Sequence, residues 1–226
     1  MTTAQLPTNV QRTAKSPFVF MSAAHLLRIG RERACNLGEL LKGVRVVPDD
    51  SIFQHTFRTL QDHHFIREGF SNDFAHWAFA ACNEVALAER LASLDVREYT
   101  SLLSLRERII KIIEDYILQN PRSRERPALE PFYFCASDSI VLPTELSANN
   151  LEEFIDSIEK VSLHSVHYHF IEARLRLKLT SNDFSVWLER ELELPALAER
   201  LNRIDIYTST LQDVRYQIVR TLRSAL

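Results

Sequence analysis

One pattern occurs twice in this chain, and no other feature restricts its fold as much. Pro17-Phe18-Val19-Phe20 returns as Pro131-Phe132-Tyr133-Phe134, and Asn36-Leu37 with Glu39 returns as Asn150-Leu151 with Glu153. Ser51 and His55 return as Ser165 and His169. Ser71-Asn72-Asp73-Phe74 with Trp77 returns as Ser181-Asn182-Asp183-Phe184 with Trp187. The run Ala86-Leu87-Ala88-Glu89-Arg90-Leu91 recurs unchanged as Ala196-Leu197-Ala198-Glu199-Arg200-Leu201. Asp95, Leu102, Arg106 and Ile109 match Asp205, Leu211, Arg215 and Ile218. The offset is 114 residues, then 110, then 109, so the order of parts is kept and only short segments differ. Such self-similarity reads as one supersecondary unit used twice. A residue present in both copies is tied to something both copies need, which sorts residues without supplying a reaction.

The repeat sets the expected boundaries. Residues 1–16 are polar, lack the apolar stretch of a signal peptide, and are expected to form a mobile leader. Module one spans 17–119, a linker 120–130, and module two 131–226. Pro121 and Pro127 flank the charged run Arg122-Ser123-Arg124-Glu125-Arg126, and proline ends a preceding helix. Each module opens on aromatics at period two, Phe18 with Phe20 and Phe132 with Phe134, which is the pattern of a short strand. The two segments either pair with each other or stand as extended arms on a helical core.

Helices follow in both modules. Asn36 and Asn150, each with glutamate three residues on, resemble N-caps. The next helices run from Ser51 and from Ser165, and a third pair starts at Ser71-Asn72-Asp73 and Ser181-Asn182-Asp183. Pro195 suits the first turn of a fourth. Leu102, Leu105, Ile109, Ile112, Ile113 and Tyr116 mark one apolar face of a fifth, matched by Leu211, Val214, Ile218 and Leu222. Arg106 and Arg215 in that helix are expected to pair with Asp95 and Asp205 upstream. The expectation is therefore a mostly α protein of two tandem homologous helical modules, each opening with a short extended segment, related by pseudo-twofold symmetry.

Composition removes several functions. With four glycines the chain holds no GxGxxG or GxxxxGK[ST] loop for cradling phosphates. A net charge of −3 with interspersed signs argues against nucleic acid, whose binding needs a basic footprint. Cys35, Cys82 and Cys135 lack CxxC spacing and read as reduced thiols of a cytoplasmic protein. No apolar run reaches the length of a membrane span.

Ser-x-x-x-His followed by Asn-Asp-Phe-x-x-Trp and then Ala-Leu-Ala-Glu-Arg-Leu resembles an uncharacterised bacterial domain family, a domain of unknown function. The residues carrying the resemblance are Ser51, His55, Asn72, Asp73, Phe74 and Trp77, with Ser165, His169, Asn182, Asp183, Phe184 and Trp187. The resemblance implies a cytoplasmic bacterial setting and no assigned activity.

Two constellations could carry chemistry. One is the repeated His-Asp pair, His55 with Asp73 and His169 with Asp183. A carboxylate on one ring nitrogen fixes the tautomer and raises the basicity of the other, as general bases and metal ligands require. The same bond could equally pin two helices together. The other is a metal site in copy one from His55, Asp62, His63 and His64 near Asp73, in a stretch four residues longer than its counterpart. Copy two offers His164, His167, His169 and Glu172 instead, with Arg58 standing in copy one where Glu172 stands in copy two. Trp77 and Trp187 are either core or the lining of a ligand pocket.

The reading favoured by this balance is a non-enzymatic binding or regulatory module acting through a cleft between its repeats, with His55, Asp73, Trp77, His169, Asp183 and Trp187 as ligand-binding candidates. No cofactor is expected, and the partner is a protein or small ligand. The alternative is a hydrolase-type His/Asp enzyme, with or without a bound metal. A third is a homo-oligomer whose strand segments pair between chains.

Overall fold

Two strands, 22 and 19 residues long, replace the short extended segments expected from the aromatic pattern. The computed structural model describes residues 12–61 and 70–226. Strand β1 (Thr13–Ala34) and strand β2 (Phe132–Asn150) are neighbours in a single two-stranded sheet. His25 Nδ1 meets Ser139 Oγ at 2.7 Å, and Gly30 lies against the backbone of Phe134, so the sheet is antiparallel. The described residues are 57% helix and 20% strand, which makes this a mixed α/β fold and overturns the mostly helical tandem architecture. The reason is visible in the exposure of the strands. Leu26, Leu27 and Ile29 on β1, and Ile140, Val141 and Leu142 on β2, are exposed at successive positions. Strand segments wet on both faces carry no period-two signature, so the alternation ended where the burial ended.

The chain divides into two compact units: His25–Ser139, and Met1–Ala24 with Ile140–Leu226. These do not follow the boundaries 17–119 and 131–226. Phe18 and Phe20 lie in the unit that holds residues 140–226, and Phe132 and Phe134 in the unit that holds residues 25–139.

In the composite unit, β1 up to Ala24 and β2 from Ile140 are joined by six helices. These are α6 (Leu151–Lys160), α7 (Leu163–His167), α8 (Ala173–Leu177), α9 (Asp183–Arg190), α10 (Pro195–Asn202) and α11 (Leu211–Arg223). A π-helical turn, Tyr168–Glu172, joins α7 to α8. Phe18 and Phe20 pack among Phe154, His169, Phe184 and Trp187, with Phe18 centroids 4.9 Å from His169 and 5.1 Å from Phe154. Burying each phenylalanine contributes about 1.5–3 kcal/mol. β1 begins at Thr13, inside the segment expected as a leader, and Trp187 Nε1 donates to Ser16 O at 2.9 Å.

The continuous unit holds α1 (Leu37–Val46), α2 (Asp49–Phe53) with its π-helical turn Gln54–Arg58, α3 (Asp73–Ala80), α4 (Val85–Ala92) and α5 (Leu102–Gln119). Here Phe132 and Phe134 of β2 pack against His55, Phe74 and Trp77. Residues 120–130, expected as a linker, are bonded to this unit. Gly38 N donates to Arg124 O, Ala128 N to Cys35 O and Leu129 N to Ala81 O. Arg126 and Tyr116 both donate to the Glu84 carboxylate.

Local chemistry explains the helix starts. Asn36 accepts from Glu39 N, Asn72 from Ala75 N, Asn150 from Glu153 N and Asn182 from Ser185 N. Each satisfies one N–H that the first turn leaves unpaired. The expected Asp95–Arg106 tie does not form. Arg106 reaches Val44 O at 2.6 Å and Asp49 at 2.7 Å, while Asp95 caps a 3-10 turn and holds Arg97. Arg215 likewise reaches Val161 O at 3.1 Å.

Candidate functional site

The π turns put both repeated histidines at the edge of a strand. In the composite unit, Ser165 lies at the middle of α7 and His169 one turn later, where the π turn widens the helix. The pair grips one residue of β1. Met21 N donates to His169 Nε2 at 2.7 Å, and Ser165 Oγ donates to Met21 O at 2.6 Å. The two side chains stand where a third strand's backbone would, and close part of an otherwise open sheet edge. His169 Nδ1 meets Asp183 Oδ2 at 2.6 Å, at the first position of α9. Arg176 also donates to Asp183 and lies over the Tyr168 ring at 4.3 Å.

These partners assign the proton. A backbone N–H can only donate, so Nε2 is the acceptor and Nδ1 carries the hydrogen bound by the carboxylate. The imidazole is neutral, with both nitrogens engaged inside the protein. A general base or metal ligand needs a lone pair facing its substrate or ion, and the Nε2 lone pair here faces a peptide N–H.

The continuous unit repeats the arrangement. His55 Nδ1 meets Asp73 Oδ2 at 2.7 Å, and Cys135 N donates to His55 Nε2 at 2.9 Å. One difference is clear. Ser51 Oγ is buried with no hydrogen-bond partner among the described residues, whereas Ser165 Oγ bonds the strand.

Of the other predicted residues, Trp77 and Trp187 are buried core, with Nε1 donating to Glu130 O and Ser16 O. Trp187 also borders a cavity of about 360 Å³ with Tyr168, Arg176, Asp183, Arg190 and Val19. Trp77 borders a smaller one of about 220 Å³ with His76, Leu129 and Glu130. Asp62, His63 and His64 lie outside the described residues. His167 Nδ1 bonds Glu172 at 3.0 Å in the core, and His164 is exposed. Among the described residues no group of three or more His, Cys, Asp and Glu is placed to hold a metal ion. Burial pushes the Cys82 thiol up to about 12 and the Cys135 thiol above its usual value, which disfavours both thiolates. The strand partners Met21 and Cys135 carried no signal in the sequence, because they are recognised through the backbone. The i, i+4 spacing of Ser and His was the one available hint.

Burial also moves His169. Desolvation holds it below the ordinary imidazole value of 6.5, against the opposing pull of Asp183. A depressed folded-state value means the unfolded chain binds the proton first. The stability contributed by neutral His169 is complete above pH 6.5 and is lost as pH falls below that toward the folded value. Urea unfolding midpoints should therefore fall from pH 7.5 to pH 5.5, and fall less in His169→Gln; equal slopes in the two proteins would refute the assignment.

A family model described as a family of unknown function, DUF5752, matches residues 15–223, and the chain belongs to that family. The chain is also similar to the solved structure of OrfY from Thermoproteus tenax, at 34% identity and a TM-score of 0.84, over 96% of this chain and 98% of that one. Among curated proteins nothing matches. The resemblance read from the motifs holds at the level of a family without assigned function; the match supplies neither a tandem duplication nor those motifs. Among the described residues no helix is long and apolar enough to cross a membrane.

Proposed function

We propose that this is a non-enzymatic binding protein of the cytoplasm, in which the His-Asp pairs hold the fold. The observation that carries the reading is the engagement of both His55 Nε2 and His169 Nε2 by strand N–H groups, at 2.9 and 2.7 Å. Two histidines used this way leave neither a free base nor a free ligand atom. The cavity beside Trp187 offers an alternative use of the same neighbourhood. Its lining mixes an aromatic face with Arg176, Arg190 and Glu191, the composition of a surface that recognises a polar ligand or a peptide. Three free cysteines support the reducing compartment.

Nitrogen-15 NMR of the histidine side chains tests the reading. Both rings should show the Nδ1–H tautomer with an unprotonated Nε2, and neither should respond to added zinc. A zinc-dependent shift of either Nε2 would overturn it and bring back the metal-dependent enzyme.

A further inference from the structure

The last helix of the composite unit carries more positive charge than its packing needs. A cavity of about 320 Å³ runs along α11 and is lined by Gln212, Arg215, Tyr216, Val219, Arg220 and Arg223, with Glu159 of α6 at one side. Five of these have structural work. Arg215 donates to Val161 O and to Gln212, and Arg223 pairs with Glu159 at 2.8 Å. Val219 is buried and forms the floor. Two do not. The Arg220 side chain is exposed with no hydrogen-bond or ion-pair partner among the described residues, and Tyr216 is 64% exposed.

Arg106 of α5 and Arg215 of α11 each bond a backbone carbonyl near the end of a packed helix, Val44 O and Val161 O, so both arginines take part in the packing. At the same steps beyond Arg106, α5 carries Glu107, Lys111 and Glu114, and Arg45 pairs with Glu114. On that surface each of these cations has a carboxylate partner, Arg45 with Glu114, Arg106 with Asp49 and Lys111 with Asp115, which the Arg220 side chain lacks. Subtracting Glu159 from Arg215, Arg220 and Arg223 leaves two net positive charges around the α11 cavity.

We infer that this cavity binds an organic phosphomonoester, with the phosphate held by Arg215, Arg220 and Arg223 and its ring lying on Tyr216. A phosphomonoester carries close to two negative charges above its second pKa of about 6. Guanidinium groups bind its oxygens through paired, charge-assisted hydrogen bonds, more specifically than lysine can. The cavity is at the small end of ligand sites, which span about 300–1,000 Å³, and suits one ring with one phosphate. The last carbonyls of α11, which would repel an anion, are already used. Ser224 N, Ala225 N and Leu226 N donate to Arg220 O, Leu222 O and Arg223 O. The inference uses none of the residues of the histidine sites, so either can fail alone.

Calorimetric titration of the full chain with phenyl phosphate, near pH 7.5 and at low ionic strength, tests it. One saturable site is expected, weakened about ten-fold or more in Arg220→Gln, which loses one charge-assisted contact. Tyr216→Ala should weaken phenyl phosphate but leave inorganic phosphate unchanged, and phenyl sulfate, with a single charge, should bind more weakly than phenyl phosphate. Both positions are exposed, so unchanged unfolding midpoints serve as the control. Absence of saturable binding at millimolar phenyl phosphate, or equal affinity in wild type and Arg220→Gln, overturns the site. Equal affinity for inorganic and phenyl phosphate overturns the role of Tyr216.

Discussion

His169→Ala is expected to lower the unfolding free energy of the composite unit by about 3–5 kcal/mol. The substitution removes a hydrogen bond to a carboxylate, worth about 1.5–3 kcal/mol, and a peptide bond partner worth about 1 kcal/mol. It also opens a space between Phe18, Phe20 and Phe184, and leaves Met21 N–H without its acceptor. His55→Ala should cost less. The Asp73 side chain is 38% exposed and can be rehydrated, whereas that of Asp183 is 14% exposed. Urea unfolding followed by tryptophan fluorescence would measure both, since Trp187 and Trp77 report on the two units separately in single-tryptophan variants. A loss below about 1 kcal/mol for His169→Ala would mean that the bridge from Asp183 to Met21 carries little of the stability.

Gly43→Ala is expected to destabilise by about 1–3 kcal/mol, against the usual sign of that change in a helix. An exposed helical glycine gains about 1 kcal/mol on becoming alanine. At Gly43 a Cβ would lie 2.3 Å from Cε2 and Cζ of Phe134, a ring buried in the core of the continuous unit. The ring has Phe132 on one side and cannot simply step back. Gly30 meets the same residue from the sheet: a Cβ there would lie 2.2 Å from the Phe134 carbonyl oxygen. Two of the chain's four glycines thus make room for one phenylalanine. Pairing Gly43→Ala with Phe134→Leu should recover part of the loss, with a coupling of about 1–2 kcal/mol in a double-mutant cycle. A Gly43→Ala protein as stable as wild type would show that the ring moves freely.

The helices were largely legible because their signals are local. An asparagine that caps a first turn acts within three residues, and an apolar stripe repeats within one helix. Asn36, Asn72, Asn150 and Asn182 all cap as their positions suggested. The His-Asp pairs were legible too, since both members are short steps apart and recur. What the histidines hold was not. Their second partners are backbone N–H groups of Met21 and Cys135, 148 and 80 residues away, and a peptide group has no letter in the sequence. The strands were cut short for a related reason: residues 26–29 and 138–143 are exposed, so nothing in their side chains records that they are extended.

By itself, then, the chain's sequence determined where helices begin, which residues recur and which histidine meets which aspartate. It left open which helices each aromatic strand segment would cover. Phe18-Val19-Phe20 and Phe132-Tyr133-Phe134 present nearly the same ladder of rings, so the rings alone do not say which helices each segment meets. That choice was made in the tertiary structure, where β1 and β2 are paired and Phe18 and Phe20 meet Phe154 and Phe184, while Phe132 and Phe134 meet His55, and Phe132 also meets Phe74. The two segments carry the same local pattern, and what distinguishes them is contact with residues more than a hundred positions away in the chain for Phe18 and Phe20 and more than fifty for Phe132 and Phe134.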